Sequence, residues 1–279
     1  MFKQKKSLGQ NFLINDKIIP DIIDVSKIKK SDTVIEVGPG LGILTKALID
    51  TGAKIYVIEK DFELVEMLRK AFGKNKNLTI IHQDALLFNI DVMIASLRAG
   101  AKQSKKITYK VVANLPFNIA SPLIRKFLEN ENQPELMVVM VQKEVAEKIV
   151  AQPGNSERGI LTLAVEFYAK AEIIQNVSKS SFRPQPKVDA AILKITPYPH
   201  TGYADMVEQV DSQLFFKIVK AGFASKRRQI HNSLSATLRL EKDKVADILK
   251  QAKIEPQLRA EDLTLKQWLA LYNVLKNIF

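Results

Sequence analysis

The sequence brings three glycines together directly after a predicted buried strand. They are Gly38, Gly40 and Gly42 in the segment VIEVGPGLGILT. Because glycine has no Cβ, a loop of this kind can turn tightly and let the backbone approach a small ligand closely. The dinucleotide-binding fingerprint requires a further glycine where Ile43 stands, so the loop argues against a nicotinamide cofactor. Glu36 precedes the loop, and a carboxylate there disfavours a phosphate and favours a ligand that carries an ammonium or sulfonium group.

Two carboxylates follow at the ends of the next two predicted strands. Glu59 ends YVIE, twenty-one residues after Gly38, and a carboxylate at this spacing can accept hydrogen bonds from both hydroxyls of a ribose. Asp84 ends IHQD and could accept a bond from the exocyclic amine of an adenine, whose ring Ala85 and Leu86 would cover. Each feature also has an explanation without a ligand when it is considered alone. The loop could be a glycine-rich turn, Glu59 could be a solvated residue at a strand end, and Asp84 could be a helix N-cap. Because open α/β sheets bind ligands at the carboxyl ends of their strands, the joint occurrence indicates a ligand site.

The composition limits the chemistry that the chain can perform. It contains no cysteine, which excludes disulfides, thiolate catalysis and a cysteine-based zinc site, and its three histidines leave little for a histidine-metal cluster. The formal net charge of +12 favours a polyanionic partner, since cationic side chains release counterions when they contact phosphates. Basic side chains cluster in MFKQKKSLGQ and in ASKRRQIHNSL, where Lys226, Arg227 and Arg228 adjoin. We predict that these segments contact nucleic-acid phosphates, with a solvated helical face as the alternative for the second cluster.

The pattern of the chain switches repeatedly between short apolar runs and helical spacing, which is typical of an α/β fold. Predicted strands are TVIEVG, KIYVIE, NLTIIHQD, YKVVANL and LMVVMVQ, with AEIIQNVS and KVDAAILKIT as a closing pair. One helix is expected between Asp61, its cap, and Gly73. Helical segments dominate after the proline-rich TPYPHTGY, so we place a boundary there, between domains 1–198 and 199–279. No apolar run of membrane-spanning length and no secretory leader is recognisable, which predicts an intracellular protein without a membrane partner.

Ordered motifs along the whole chain resemble those of one enzyme family. The motifs are KKSLGQNFLIND, VIEVGPGLGILT, VIEKD, HQDAL, ANLPFNIASPL, QPGNSERGILTLAVEFYA, FRPQPKVDAAI, FASKRRQIHNSL and LRAEDLTLKQW. They are similar to those of the S-adenosylmethionine-dependent ribosomal RNA adenine dimethyltransferases, specifically the small-subunit (16S) KsgA type. The resemblance implies a Rossmann-like class I methyltransferase domain followed by a smaller, all-helical, rRNA-binding C-terminal domain. It further implies transfer of methyl groups to N6 of two adjacent adenosines near the 3′ end of 16S rRNA.

The same resemblance assigns ligands to individual residues. It implies that S-adenosylmethionine, without a metal, contacts Asn11, Leu13, Gly38, Gly40, Glu59, Asp84, Ala85 and Asn114. Considered alone, the segment QNFLIND is only a helix-entry turn. The implied partner is 16S rRNA within the small ribosomal subunit or its precursor, and S-adenosylhomocysteine is the implied product of the donor. The protein is expected to act as a cytoplasmic monomer in small-subunit biogenesis.

The segment Asn114, Leu115, Pro116, Phe117 ends the fourth predicted strand and, without the resemblance, is equally well explained by a packed proline turn. Methylation of an adenine amine gives these residues a catalytic role, because the N6 lone pair is delocalised into the ring and is a poor nucleophile. The amide oxygen of Asn114 and the carbonyl of Leu115 can accept bonds from the two N6 protons and localise that pair. Pro116 places no N–H in the site, and Phe117 offers a face to the target base. Related proteins more often carry tyrosine in place of Phe117, so a role for that hydroxyl is not expected here.

Other functions are compatible with parts of the pattern. A non-catalytic rRNA-binding assembly factor would share the fold but would not need the cofactor positions, which are all present. A large-subunit (23S) rRNA methyltransferase of the macrolide-resistance type is the second alternative. The segments NLPFNIASP, FRPQPKVDAAI and RAEDL look more like the small-subunit type. The glycine loop and the Asn-Leu-Pro-Phe segment together disfavour a dehydrogenase.

Overall fold

The structure, a computed structural model, describes residues 10–99, 108–199 and 210–279. The lysines of the N-terminal MFKQKKSLG and the second half of TPYPHTGY lie outside the described residues. In the parts of the chain that are described, no helix has the length and apolar character needed to cross a membrane.

Apolar, β-branched runs form a mostly parallel seven-stranded sheet. The strands of the described chain are β1 (Phe12–Leu13), β2 (Thr33–Val37), β3 (Lys54–Glu59), β4 (Leu78–His82), β5 (Lys110–Asn114), β6 (Leu136–Gln142), β7 (Ala169–Val177), β8 (Phe182–Arg183) and β9 (Ala190–Pro197). The sheet has the order β4-β3-β2-β5-β6-β9-β7. Neighbours from β4 to β6 are parallel, and β9 is antiparallel to both β6 and β7. All seven predicted strands, including the closing pair, are confirmed.

Helices connect the parallel strands and cover the sheet. They are α1 (Ile19–Ser26), α2 (Ile43–Asp50), α3 (Phe62–Phe72), α4 (Ile90–Ala99), α5 (Ala120–Leu128) and α6 (Lys143–Ile149). The helix predicted between Asp61 and Gly73 is confirmed as α3, where an oxygen of Asp61 accepts a hydrogen bond from the backbone N–H of Glu63 at 3.1 Å. Because β2 to β5 run in one direction, the loops that follow them lie at the same edge of the sheet.

The N-terminal segment joins this edge through a separate two-stranded sheet. Strand β1 pairs antiparallel with β8, so that Phe12 lies opposite Arg183 and Leu13 opposite Phe182. The backbone N–H of Ile14 extends the pairing by donating to the carbonyl of Ser181 at 2.9 Å. Only after this strand does the expected helix entry follow, with residues 16–18 in a short 3-10 helix. The segment QNFLIND is therefore a strand followed by a helix entry, because its pairing partner lies far away in the chain.

The chain divides into two compact units. One, called the sheet unit, comprises Met1–Ala146 and Ala169–Pro197, and the other, called the helical unit, comprises Glu147–Tyr168 and Tyr198–Phe279. The division differs from the predicted domains 1–198 and 199–279 in that residues 147–168 and Tyr198 belong to the helical unit.

Aromatic packing explains this assignment. The helices of the helical unit are α7 (Ile160–Tyr168), α8 (Ser212–Phe223), α9 (Ile230–Leu238), α10 (Lys242–Gln251) and α11 (Leu265–Leu275). The ring of Phe167 on α7 lies 4.7 Å from that of Phe215 and 5.4 Å from that of Phe216, both on α8. The apolar face of α7 is thus part of the helical core, although the sequence places α7 immediately before β7.

A buried arginine holds the loop that precedes α7. Arg158 is 1% exposed and forms two parallel hydrogen bonds of 2.7 Å with the carboxylate of Glu166. Its guanidinium also donates to the carbonyl of Ala151 at 2.9 Å and to that of Leu263 at 3.3 Å. A bidentate pair with further carbonyl acceptors satisfies most donors of the guanidinium, which makes burial of the charge tolerable. The segment QPGNSER therefore has a structural role within the helical unit.

Candidate active site

The glycine loop between β2 and α2 has the backbone conformation that its sequence predicts. Gly38, Gly40 and Gly42 have φ angles of 66°, 56° and 82°, which residues with side chains rarely adopt. A Cβ on Gly38 would lie 2.9 Å from Cγ of Pro116, and one on Gly40 would lie 2.9 Å from Cδ1 of Phe12. The loop is therefore enclosed between the end of β5 and the N-terminal segment, with no room for side chains at these positions.

Glu36, directly before the loop, is a buried carboxylate with one neutral partner. It is 1% exposed, and its Oε2 accepts a hydrogen bond from Oγ1 of Thr45 at 2.7 Å. Burial, with a contribution from the nearby Glu59, raises the pKa of Glu36 to about 8. A cationic ligand group would stabilise the ionised form and lower this pKa again. The environment of Glu36 thus supports the expectation of an ammonium or sulfonium ligand.

Glu59 ends β3 with one carboxylate oxygen fixed. Its Oε1 accepts hydrogen bonds from the backbone N–H groups of Lys60 and Asp61, each at 2.7 Å. Burial nevertheless raises the pKa of Glu59 above its usual value. Among the described residues no donor reaches Oε2. The second oxygen is therefore available to ligand hydroxyls, as expected for a carboxylate that binds ribose.

Asp84 follows β4 and is held from two sides. Its Oδ2 lies 2.8 Å from Nζ of Lys60, and its Oδ1 accepts a hydrogen bond from the backbone N–H of Leu86 at 2.9 Å. The hydrogen bond from Lys60 keeps the pKa of Asp84 below its usual value, so the group is an ionised acceptor. Ala85 beside it is buried, as a residue that covers a ligand ring would be. The sequence did not indicate Lys60, because the two partners follow different strands.

Asn114, the last residue of β5, presents a buried amide oxygen. Its Oδ1 has no hydrogen-bond partner among the described residues, which is costly for a buried polar atom. The backbone beyond it is fixed, since the N–H of Leu115 donates to the carbonyl of Met140 at 3.1 Å. The carbonyl of Pro116 accepts a bond from the N–H of Ile119 at 3.0 Å and is thus occupied. An unpartnered acceptor in this position fits a ligand that donates hydrogen bonds.

The ring of Phe117 is half-buried at the same end of β5. It meets the ring of Phe182 in β8 edge-on, with centroids 5.8 Å apart and an interplanar angle of 65°. It also borders the cavity described next. The ring is therefore partly packed, as in the proline-turn interpretation, and partly accessible to a ligand.

A cavity of about 160 Å³ joins these groups. Every residue that the resemblance assigns to the cofactor lines it: Asn11, Leu13, Gly38, Gly40, Glu59, Asp84, Ala85 and Asn114. Leu86, which was also predicted to cover the adenine ring, is not among the residues that line the cavity. The predicted catalytic residues Leu115, Pro116 and Phe117 line it as well. Polar residues that the sequence did not single out, such as Lys60, Gln83 and Asn118, also reach the cavity.

The donor and acceptor set of this cavity fits S-adenosylmethionine. The buried carboxylate of Glu36 suits the positive charge of the donor. The accessible oxygen of Glu59 suits the ribose, and ionised Asp84 suits the adenine amine. No group of three or more histidine, aspartate or glutamate side chains in the described ranges could hold a metal ion. A parallel sheet with this loop and these strand ends defines a Rossmann-like methyltransferase.

Comparison with known proteins identifies the family. The family model described as ribosomal RNA adenine dimethylase matches residues 1–277. A ribosomal RNA small subunit methyltransferase A from Fusobacterium nucleatum is 41% identical over 276 residues, which cover 99% of this chain and 98% of the relative. One from Dehalococcoides mccartyi is 41% identical over 266 residues, which cover 95% of this chain and 86% of the relative.

Solved structures agree. A dimethyladenosine transferase from Plasmodium falciparum is 26% identical with a TM-score of 0.79, covering 95% of this chain and 98% of its own. The 23S rRNA methyltransferase ErmE shares the fold, with 24% identity, a TM-score of 0.68 and coverage of 95% and 100%. The chain belongs to the ribosomal RNA adenine dimethylase family. The resemblance, the fold class and the class of enzyme predicted from the sequence are thereby confirmed.

The predicted phosphate-binding residues lie in the helical unit. They are Lys226, Arg227 and Arg228, all exposed in the loop between α8 and α9. The end of this loop is paired with a second segment, because Gln229 forms a β-bridge with Arg259 and the N–H of Ile230 donates to the carbonyl of Leu258 at 2.7 Å. Arg259 therefore lies beside the basic loop. The sequence could not reveal this, since thirty residues separate the two sides of the bridge.

Proposed function

We propose that this protein transfers methyl groups from S-adenosylmethionine to N6 of two adjacent adenosines near the 3′ end of 16S rRNA, giving dimethyladenosines during small-subunit biogenesis. The observation that carries the proposal is the buried, unpartnered Oδ1 of Asn114 on the wall of the cofactor cavity. A hydrogen-bond acceptor at this position suits an amine that donates hydrogen bonds. The small-subunit target is supported by relatives at 41% identity that are named for the small ribosomal subunit.

Each part of the cavity is assigned a part of the methyl donor. When bound, S-adenosylmethionine supplies a methyl group on a positively charged sulfur. The accessible oxygen of Glu59 accepts hydrogen bonds from the ribose hydroxyls, and Asp84 accepts one from the adenine amine. Glu36, whose raised pKa a cationic ligand lowers again, provides negative charge near the glycine loop when the donor is bound. The N-terminal residues Asn11 and Leu13 cover the cavity from the side of β1.

The end of β5 is assigned to the target adenine. Oδ1 of Asn114 and the carbonyl of Leu115 accept hydrogen bonds from the two N6 protons, which localises the nitrogen lone pair and orients it. Neither group has to be a strong base, because the methylated amine loses its extra proton readily. Pro116 contributes no N–H that would compete for these acceptors. Phe117 stacks on the base after it has left its neighbours in the RNA.

The basic loop of the helical unit is assigned to the rRNA backbone. Contacts from Lys226, Arg227 and Arg228 to phosphates provide affinity and register, and they carry little sequence information. Arg259 adds a fourth cation next to this loop. We infer a protein that acts as a monomer in the cytoplasm, where small subunits that lack the modification are found.

The central test is methylation of isolated ribosomal subunits. We expect label from S-adenosylmethionine to appear in small subunits that lack the modification, at two adjacent adenosines near the 3′ end of 16S rRNA. Mapping of the labelled nucleotides provides the measurement. Label in 23S rRNA would instead select the large-subunit alternative, and absence of label from both subunits would favour a non-catalytic assembly factor.

Charge reversal of the basic loop should weaken RNA binding in a salt-dependent manner. For Arg227→Glu/Arg228→Glu we expect the slope of log K against log salt concentration to become shallower by about 1.4 to 1.8, because two phosphate contacts are lost. Binding of S-adenosylhomocysteine should not change. Titrations of small subunits at several salt concentrations measure the slope.

A matched control changes the net charge by the same amount at another place on the helical unit. Lys244→Glu/Lys250→Glu changes two exposed lysines of α10. We expect this variant to keep most of the wild-type slope. Equal slopes for the two double variants would show that only the overall charge matters and would contradict the assignment of the basic loop.

A further inference from the structure

The loop between β4 and α4, residues 83–89, has a compact internal structure. Besides accepting a bond from the N–H of Leu86, Asp84 accepts one at its backbone carbonyl from the N–H of Leu87 at 2.9 Å. The N–H of Gln83 donates to the carbonyl of Glu59 at 2.9 Å, which ties the start of the loop to β3. The N–H of Ala85 has no hydrogen-bond partner among the described residues, and Ala85 lines the cavity. The loop thus offers one carboxylate acceptor and one backbone donor to a ligand edge.

A lysine from another element holds this loop from the side. Nζ of Lys126 donates to the carbonyl of Ala85 at 3.1 Å and to the carbonyl of Leu86 at 2.6 Å. Lys126 is half-buried on α5. Burial lowers its pKa, and the negative charge of Asp84 acts in the opposite direction. The sequence gives no sign of this contact, which joins residues forty positions apart.

The position of Lys126 links two parts of the site. Helix α5 begins at Ala120, three residues after Phe117, so the lysine belongs to the helix that directly continues the catalytic segment. Two hydrogen bonds from one ammonium to successive carbonyls restrict rotation of the two peptide groups that follow Ala85 and Leu86. The Ala85 N–H belongs to the preceding peptide group, whose Asp84 carbonyl accepts the N–H of Leu87. The lysine therefore acts on this N–H indirectly, by holding residues 85 and 86 of the turn that Asp84 and Leu87 close.

We propose that Lys126 is a positioning residue for the adenine of the methyl donor, acting through the loop of residues 83–89. The inference rests on the proposed function, because it concerns the ligand of the same cavity. Adenine presents an amine and an unprotonated ring nitrogen on one edge, which match the Asp84 carboxylate and the Ala85 N–H. Hypoxanthine presents a carbonyl and a protonated nitrogen on that edge, which oppose both groups.

The test compares binding of S-adenosylhomocysteine with that of S-inosylhomocysteine by calorimetry, in the full-length protein without RNA. Wild-type protein should prefer the adenine compound by about 10²-fold or more, because the other ligand leaves two polar groups of the loop unpaired. In Lys126→Met, which keeps the aliphatic stem and loses the donor, this preference should fall on the order of tenfold. Methylation kcat at saturating S-adenosylmethionine should stay within about twofold of the wild type while KM for the donor rises.

Arg125→Met is the matched control, since it removes one positive charge from the same helix. Arg125 pairs with Glu129, the residue that follows the last residue of α5, at 2.6 Å. The preference of Arg125→Met for the adenine compound should equal that of the wild type. If Lys126→Met fails to fold, Lys126→Gln, which keeps a shorter donor, should show a smaller loss of preference in the same direction.

Three results would overturn the inference. They are an unchanged preference in Lys126→Met, an equal loss of affinity for both compounds, or the same change in Arg125→Met. Failure of wild-type protein to bind either compound would overturn the proposed function itself and with it the inference. The two failures are therefore distinguishable in one set of titrations.

Discussion

Asn114→Ala is expected to lower kcat for methylation of small subunits by on the order of 10²–10³-fold, which is typical of removing one preorganised polar group from a reaction site. The side chain ends in a buried oxygen that no described residue satisfies, so its polar role is reserved for a ligand. Truncation removes that acceptor from one N6 proton of the target adenine. The dissociation constant of S-adenosylhomocysteine should change by less than about fivefold, because the ribose and adenine groups of the site are untouched.

Single-turnover methylation and calorimetry separate the two quantities. Asn114→Asp serves as a comparison, because it keeps an acceptor oxygen at the same position and should retain more activity than the alanine variant. Asn130→Ala, which changes an amide in the loop after α5 that contacts Asp91 and Asn132, should behave like the wild type. Undiminished methylation by Asn114→Ala would rule out the proposed role of its amide.

Gly38→Ala is expected to abolish measurable cofactor binding. The residue has a φ of 66°, and an added Cβ would lie 2.9 Å from Cγ and 3.0 Å from Cδ of Pro116. Left-handed backbone strain and overpacking together cost about 2–5 kcal/mol, which the loop would have to relieve by moving. Such movement displaces the glycine loop from the end of β5. Calorimetric titration with S-adenosylhomocysteine measures the loss.

Gly154→Ala is a control that adds backbone strain without a steric clash. Gly154 has a φ of 87°, but an added Cβ there would have no atom within 4 Å. This variant should lose about 1–2 kcal/mol of stability and bind the cofactor normally. Combining Gly38→Ala with Pro116→Ala removes the collision and should restore part of the binding, whereas equal behaviour of the single and double variants would contradict the Gly38–Pro116 contact.

Local patterns were sufficient to predict much of the fold and the cavity. The strands were recognisable because buried parallel strands are continuous apolar runs, and the glycines because three of them follow such a run. The groups at the strand ends converge as predicted, since the direction of a parallel sheet determines where its loops lie.

Long-range contacts could not be predicted in the same way. Two-residue strands such as β1 and β8 have no periodicity, and only their mutual pairing identifies them. The apolar face of α7 does not reveal which unit it will enter. Lysine side chains such as those of Lys60 and Lys126 reach across several residues in space, so their partners depend on the folded loops and not on spacing along the chain.

The pairing of β1 with β8 also determines when the cavity can close during translation. Phe12, which contacts the glycine loop, has its strand partner at Arg183, so this wall of the cavity cannot be fixed until the ribosome has made most of the sheet unit. At roughly 5–20 residues per second, that delay is on the order of ten to thirty seconds. During this time the nascent chain already contains the carboxylates and the glycine loop, but the cleft between them stays open on the side that β1 will cover. Closure of the cavity is thus linked to translation of a segment that follows nearly all the other residues of the site.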